Sequence, residues 1–290
     1  MKTVIYVKGS ERYPDRRKQA GVADFARGHG WNLQTVGAID TAEQLKTILE
    51  LWSPAGFIVN RAAGLNRLPA AAYGRRPVLF FEFPSSPKAG AFNCVYNDAR
   101  QTAALVAREL LRLDLVGYAY VNWRKPVFWN ECRRKAFFEI LSLHERRGQS
   151  YVPTTGVPAT EVRALADWLK GLPRPLGVFA ANDTIAQEVS AACTLAGLSV
   201  PDDVSIVGVD NDTEVCEGNT PTLSSVELDH FRSGQLAAET LERMMKRGLT
   251  KAESVVYPTL DLVRRESSRR LTFVDKAVSS AVERIRREAC

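Results

Sequence analysis

The feature that most constrains this chain is an alternation, run through twice, of short apolar segments and longer amphipathic ones. TVIYVK reads as a strand and residues 14–27 as a helix, with Ala20, Val22, Ala23, Phe25 and Ala26 as its apolar positions. NLQTVG is strand-like, Thr41 caps a helix reaching Leu51, AGFIVN is a buried strand and PVLFF another. After FNCVY, Asn97 or Asp98 caps a helix that runs to Leu113, and LVGYAYV resumes the strand pattern. The rhythm then restarts with a helix over 128–147, a strand in QSYVP and a helix over 160–170 closed by Gly171 and Pro173. LGVFAA, a helix over 183–196 and VSIVGV follow, then a helix over 229–247 and a final strand over 255–263. Strands joined through helices pair in parallel, with helices on both faces of the sheet. Two such sets predict two lobes, 1–121 with 227–255 and 122–226 with 256–270, and leave 271–290 as a separate segment. No Pro/Gly/Ser-rich linker parts the lobes, so chain crossings join them.

Composition narrows the class. The chain has 290 residues, 45% hydrophobic and 25% charged, enough for two cores. No segment approaches the roughly 18 uncharged apolar residues that span a bilayer. MKTVIYVKGSER meets charge too early for a secretory signal. The five cysteines (Cys94, Cys132, Cys193, Cys216, Cys290) show no paired spacing, which predicts a reducing, cytoplasmic setting. The three histidines (His29, His144, His230) form no ligand pattern, so neither a metal nor a cofactor is expected. The net charge of +6 is uneven: residues 264–290 hold eight basic side chains against four acidic ones. That imbalance suggests a C-terminal end facing a polyanion.

Signatures of catalysis are missing. The chain contains no GxGxxG after a strand, no GxxxxGK[ST], no GxSxG and no SxxK, so an enzyme is not expected. The informative stretch is VFAANDTIAQEVSAACTLAGLSVPDDVSIVGVDN. Ligands of open α/β sheets bind at the carboxyl ends of strands. Asn182 and Asp183 stand at one such end, Asp210 and Asn211 at the next, and Asp or Asn there can engage adjacent hydroxyls of a polyol. Asp183 is well placed as a helix N-cap, whereas the Asp210 carboxylate, directly after VSIVGV, should face the crevice.

AANDTIA, AGLSVPDDVSIVGVDN, TPTLSSV, GQLAAETLERMM and LVRRES, in that order over 175–268, resemble the effector-binding domain of the lac/galactose-repressor (LacI/GalR) family. That domain is itself similar to periplasmic sugar-binding proteins. VYNDARQTAALVARELL resembles the family's segment leading into the last helix of its first lobe. The resemblance implies an α/β, two-lobed periplasmic-binding-protein-like (type I) fold, each lobe a parallel sheet flanked by helices, with a monosaccharide bound between the lobes. Carried over by position, Arg133 in CRRKAFF, Asn182 and Asp210 become ligand contacts. A guanidinium fork donates two hydrogen bonds to neighbouring hydroxyls and a carboxylate accepts two. Trp129, Phe128 and Tyr13 are candidate rings for a sugar's C–H face, and Ser10 and Glu11 are further polar candidates.

The family begins with a helix-turn-helix, whereas this chain begins at the first sensor strand. In VDKAVSSAVERIRREAC, Asp275 can cap a helix with Val278, Ala281, Val282, Ile285 and Ala289 at helical spacing. This segment resembles the first helix of an AraC/XylS-type DNA-binding domain, so 271–290 is expected to be its truncated start. The arrangement, together with LADWLKGLP, resembles regulators in which a repressor-like sensor precedes an AraC-type reader. It implies a pentose effector with D-xylose foremost, operator DNA as a partner through the reader, and a homodimer. The alternatives are a sugar-binding protein of a transport system, a sensor of a non-sugar effector and an α/β enzyme acting on a sugar. The early charge at the N-terminus and the basic tail argue against the first of these.

Overall fold

The computed structural model describes residues 1–61, 66, 68–82, 93–154, 158–247, 252–270 and 284–285, which form two lobes on two six-stranded sheets. The first lobe opens with β1 (Lys2–Val7), α1 (Tyr13–Gly28), β2 (Trp31–Val36), α2 (Ala42–Trp52), β3 (Gly56–Asn60), β4 (Val78–Phe81) and β5 (Cys94–Asn97). The second takes α3 (Ala99–Leu111), β6 (Gly117–Val121), α4 (Phe128–Leu143), β7 (Gln149–Tyr151), α5 (Pro158–Lys170) and β8 (Leu176–Ala180). It continues with α6 (Asp183–Ala196), β9 (Val204–Val209), α7 (Thr213–Glu217) and β10 (Ser224–Leu228). The chain returns to the first lobe as α8 (His230–Arg247) and β11 (Ser254–Tyr257), then to the second as β12 (Thr259–Val263). The sheet orders are β11-β5-β4-β3-β1-β2 and β12-β10-β9-β8-β6-β7. Pairing is parallel throughout except for β12, which runs antiparallel to β10.

The sheets are covered on both faces, as their strand sequences require. In β1, Val4 and Tyr6 join one core while Ile5 and Val7, on the opposite face, join another with Leu45 of α2 and Tyr73. The α1 and α8 helices pack against each other so closely that a Cβ on Gly21 would lie 2.0 Å from the Phe231 carbonyl oxygen, and one on Gly234 2.1 Å from that of Lys18. Only glycine permits that approach. The Thr41 side chain and Gln44 form a capping box on α2, as the Thr41 cap predicts in part. No helix among the described residues is long and apolar enough to cross a membrane.

Five expectations need correction. The first crossing between lobes falls at Asp98, after β5, and not at 121/122. β6 lies between β7 and β8, and α3 packs on α4 and the second sheet, so the segment read as the end of the first lobe starts the second. A hydrophobic period reports burial and says nothing of which sheet supplies the partner. The expected strand over 255–263 is two strands, one in each sheet, parted at Pro258, whose missing N–H suits a break in the ladder. The helix expected over 128–147 ends at Leu143, and His144 is its C-cap. Asn182, not Asp183, caps α6, its side chain accepting from the Ile185 N–H. Finally, four of the eight basic residues assigned to the C-terminal end are tied into the second lobe. Arg264 binds Glu109, Arg265 binds Asn211 and the Leu223 carbonyl, Arg269 binds the Arg264 carbonyl, and Arg270 that of Leu113. Of the expected helix over 275–290, Arg284 and Ile285 are helical and the other positions lie outside the described residues.

Glu109 anchors this last segment. Its side chain is fully buried and accepts from Arg112 (2.7 Å) and Arg264 (2.8 Å), with the Ser268 hydroxyl 3.3 Å away. Burial raises a carboxyl's pKa, but the two guanidinium hydrogen bonds outweigh it and hold Glu109 below the usual range. A depressed folded pKa contributes stability above the unfolded value, near 4.3, that is lost as pH falls through the folded one. Glu109→Gln is expected to cost about 1–3 kcal/mol at neutral pH. The deficit should shrink toward zero in acid, where the wild-type carboxyl is also protonated, as read by urea unfolding across pH.

Candidate functional site

The carboxyl ends of the strands from both sheets meet at a cleft of about 510 Å³, its open mouth included. From the second lobe come Trp123 beyond β6, Trp129 and Arg133 on α4, Asn182 beyond β8 and Asp210 beyond β9. From the first come Ser10 and Arg12 beyond β1, Asp15 and Lys18 on α1, and Glu82 beyond β4. His230 and Tyr257 stand at the crossings.

Arg133 is 5% exposed and its guanidinium lies 4.7 Å from the centre of the Trp129 ring. One Nη donates to the Ala181 carbonyl (2.8 Å), while Nε has no partner among the described residues. Arg12 stacks in the same way on Trp123, at 4.2 Å, and the two indoles lie 6.4 Å apart. Asn130 positions this wall. Its Oδ1 accepts from the Trp123 backbone (3.0 Å) and the Tyr120 hydroxyl (3.1 Å), and its amide donates to Asn122 (3.1 Å).

Asp210 has φ +110°, and Asn211 follows at +51°. Non-glycine residues seldom adopt such values, so the turn must be held from outside. Asp183 holds it: its carboxyl accepts from the Asp212 N–H (2.8 Å) and from the Ser225 hydroxyl, which in turn accepts from the Asn211 N–H (3.0 Å). A Cβ on Gly208 would stand 2.3 Å from the Asp183 carboxyl, so glycine is required there. Burial, with Asp210 nearby, pushes the Asp183 carboxyl well above its ordinary range.

In the first lobe, Asp15 accepts from Ser10 and from Asn60 (2.7 Å). Lys18 is 2% exposed, with Nζ 5.3 Å from the Phe81 ring centre. Glu82 is 5% exposed at φ +63°, and burial raises its pKa against the pull of Lys18 and Arg133. Among the described residues, Arg12, Lys18 and Arg133 form no ion pair. Behind the cleft, Asn97 joins two crossings, donating to Thr259 (3.1 Å) and accepting from Thr102 (2.7 Å).

Of the residues nominated from sequence, Ser10, Trp129, Arg133, Asn182 and Asp210 line the cleft together. Three do not. Glu11 points to solvent and pairs with Lys8 at 2.9 Å. Tyr13 meets His230 edge-on at 6.4 Å without joining the lining. Phe128 packs against the first lobe's second core and lines a neighbouring cavity with Tyr96 and Cys132. Sequence reading missed Arg12, Asp15, Lys18, Glu82, Trp123, His230 and Tyr257. Two signals were available: Asp15 and Lys18 share the buried stripe of α1 with Val22, and Glu82 follows PVLFF as Asp210 follows VSIVGV. Among the described residues no group of three His, Cys, Asp or Glu could hold a metal, and Cys94, Cys132, Cys193 and Cys216 are free thiols.

The chain is similar to the xylose operon regulatory protein of Escherichia coli (strain K12), with 28% identity over 165 residues, 56% of this chain and 42% of that protein. It thus spans less than half the length of that curated relative. Among solved structures, a xylose-binding transcription activator superposes with a TM-score of 0.78 at 19% identity, covering 99% of this chain and 75% of the other. A transcriptional regulator in complex with cellobiose gives 0.77 at 18% identity, covering 91% and 84%. These likenesses are of fold. The sequence profile of the periplasmic binding protein-like domain matches residues 94–268, more than half of the chain, so the chain belongs to that family.

Proposed function

We propose that this chain is the effector-sensing part of a sugar-responsive transcription regulator, taking a neutral monosaccharide between its lobes, with D-xylose foremost. The observation that carries the reading is the balance of the cleft: Arg12, Lys18 and Arg133 against Asp15, Glu82 and Asp210, beside two indoles. A polyol presents donors and acceptors on every hydroxyl and an apolar C–H face, and such a wall serves both. A sugar acid would call for an excess of cations, which the lining formed by the described residues does not have. The xylose relatives support the choice of pentose and the regulatory role.

In this reading the sugar favours one interlobe arrangement by binding it more tightly, a population shift. The arrangement controls operator binding by an AraC-type domain beyond the described residues, in a homodimer. Arg133, Asn182, Asp210, Trp129 and Ser10 are the proposed contacts from sequence, joined by Lys18, Glu82 and Trp123. Calorimetry and thermal melts with D-xylose, other pentoses, hexoses and a uronic acid test it. D-xylose should give heat and stabilise the protein, by about 2.7 kcal/mol at a hundredfold excess over Kd. No response to any neutral sugar would overturn the reading, and a response to the acid alone would overturn the charge argument.

A further inference from the structure

His230 opens α8, where the chain re-enters the first lobe, and is 3% exposed. Its ring meets Tyr13 at 6.4 Å and Tyr257 at 6.0 Å, and Lys18 and Arg133 bear on it electrostatically from α1 and α4. Nε2 stands 3.2 Å from Oδ1 of Asp210, whereas Nδ1 has no hydrogen-bond partner among the described residues. Burial lowers the imidazole pKa although Asp210 opposes it, which favours the neutral ring. A carboxylate oxygen only accepts, so Nε2 carries the proton directed at Asp210. The backbone of Asp210 is held at positive φ, with its N–H on the Val226 carbonyl at 2.9 Å. What remains to be set is the rotation of its carboxylate, and the only side chain seen to hydrogen-bond it among the described residues is His230.

We propose that His230 is a positioning residue of the effector site: its Nε2–H holds one oxygen of Asp210 and leaves the other to accept from the ligand. Asp210 follows β9 of the second lobe, while α8 packs on α1 and the first sheet, so this hydrogen bond spans the lobes. It ties the orientation of a ligand contact to the interlobe arrangement, so that binding and that arrangement are coupled. This inference rests on the monosaccharide reading above.

The test compares His230→Gln, which keeps an N–H donor, with His230→Phe, which keeps the ring and loses the donor. Calorimetry on the full chain uses whichever sugar of the panel binds wild type, D-xylose first. His230→Phe should weaken binding about 10- to 100-fold, as loss of a hydrogen bond to a charged group does. His230→Gln should recover most of that loss. Nitrogen-15 NMR of the wild-type ring at pH 7 should show a neutral imidazole protonated at Nε2, with signals that move on adding sugar. Unchanged affinity in His230→Phe, an equal loss in His230→Gln, or a proton on Nδ1 would each overturn the inference while leaving the monosaccharide reading intact. A wild-type chain that binds no sugar overturns both.

Discussion

Replacing Arg133 with alanine is expected to weaken monosaccharide binding at least about a hundredfold while the protein stays folded. The side chain is 5% exposed, held on the Trp129 ring and anchored by one Nη on the Ala181 carbonyl, with Nε left without a partner among the described residues. Two hydrogen bonds from a guanidinium to hydroxyls, each worth about 1.5–3 kcal/mol, make up that loss. Stability should move the other way. Arg133 forms no ion pair among the described residues and its Nε has no partner there, so removing it relieves a desolvation cost that its hydrogen bond to Ala181 and its pull on Glu82 offset only in part. Thermal melts should show an unchanged or raised midpoint beside absent calorimetric heat. Arg133→Lys keeps the charge and loses the fork, so its affinity should fall between the two. Normal binding by Arg133→Ala would show that the site is misassigned.

The second large effect is on stability. Phe179 of β8 is fully buried, 5.0 Å from Tyr120 and 5.2 Å from Phe137 in near-perpendicular ring contacts. It pairs with Tyr120 on β6 and Val207 on β9, so it sits in the middle of the second sheet. Phe179→Ala removes the ring and leaves a cavity that three paired strands cannot close, at a cost of about 3–5 kcal/mol. Urea unfolding should show a lower midpoint with an unchanged slope. Phe179→Leu should lose much less, because most of the volume remains. A cost below about 1 kcal/mol for Phe179→Ala would mean the sheet collapses around the gap, contrary to close packing.

The two nominated sets of site residues show what each level of description carries. Asn182 and Asp210 came out together because each follows an apolar strand run inside one continuous stretch, whereas Trp129 and Arg133 on α4 came only from the family resemblance. The first-lobe contacts were harder. Ser10 lies in the cleft, but Glu11 beside it turns outward to Lys8, and nothing in a loop sequence says which way neighbouring side chains point. Lys18 and Asp15 were not nominated, and their side chains are placed by Phe81 and Asn60, residues of strands distant from α1 in the chain. His230, one of three scattered histidines with no ligand spacing, gained its place only through the third dimension.

The sequence by itself determined most of the local order: which segments are strands and helices apart from α7 and β10, that there are two parallel sheets' worth of them, and where polar groups end buried runs. Those properties follow from residue period and from propensities acting over a few neighbours. Only the tertiary structure decided that β6 and α3 belong to the second lobe, that one apparent strand is divided between two sheets, and that Glu82, Lys18 and His230 meet Arg133 and Asp210 across a cleft. Strand partnership and interlobe contact are hydrogen-bonding and packing choices between distant segments, and a period along the chain carries no record of its partner.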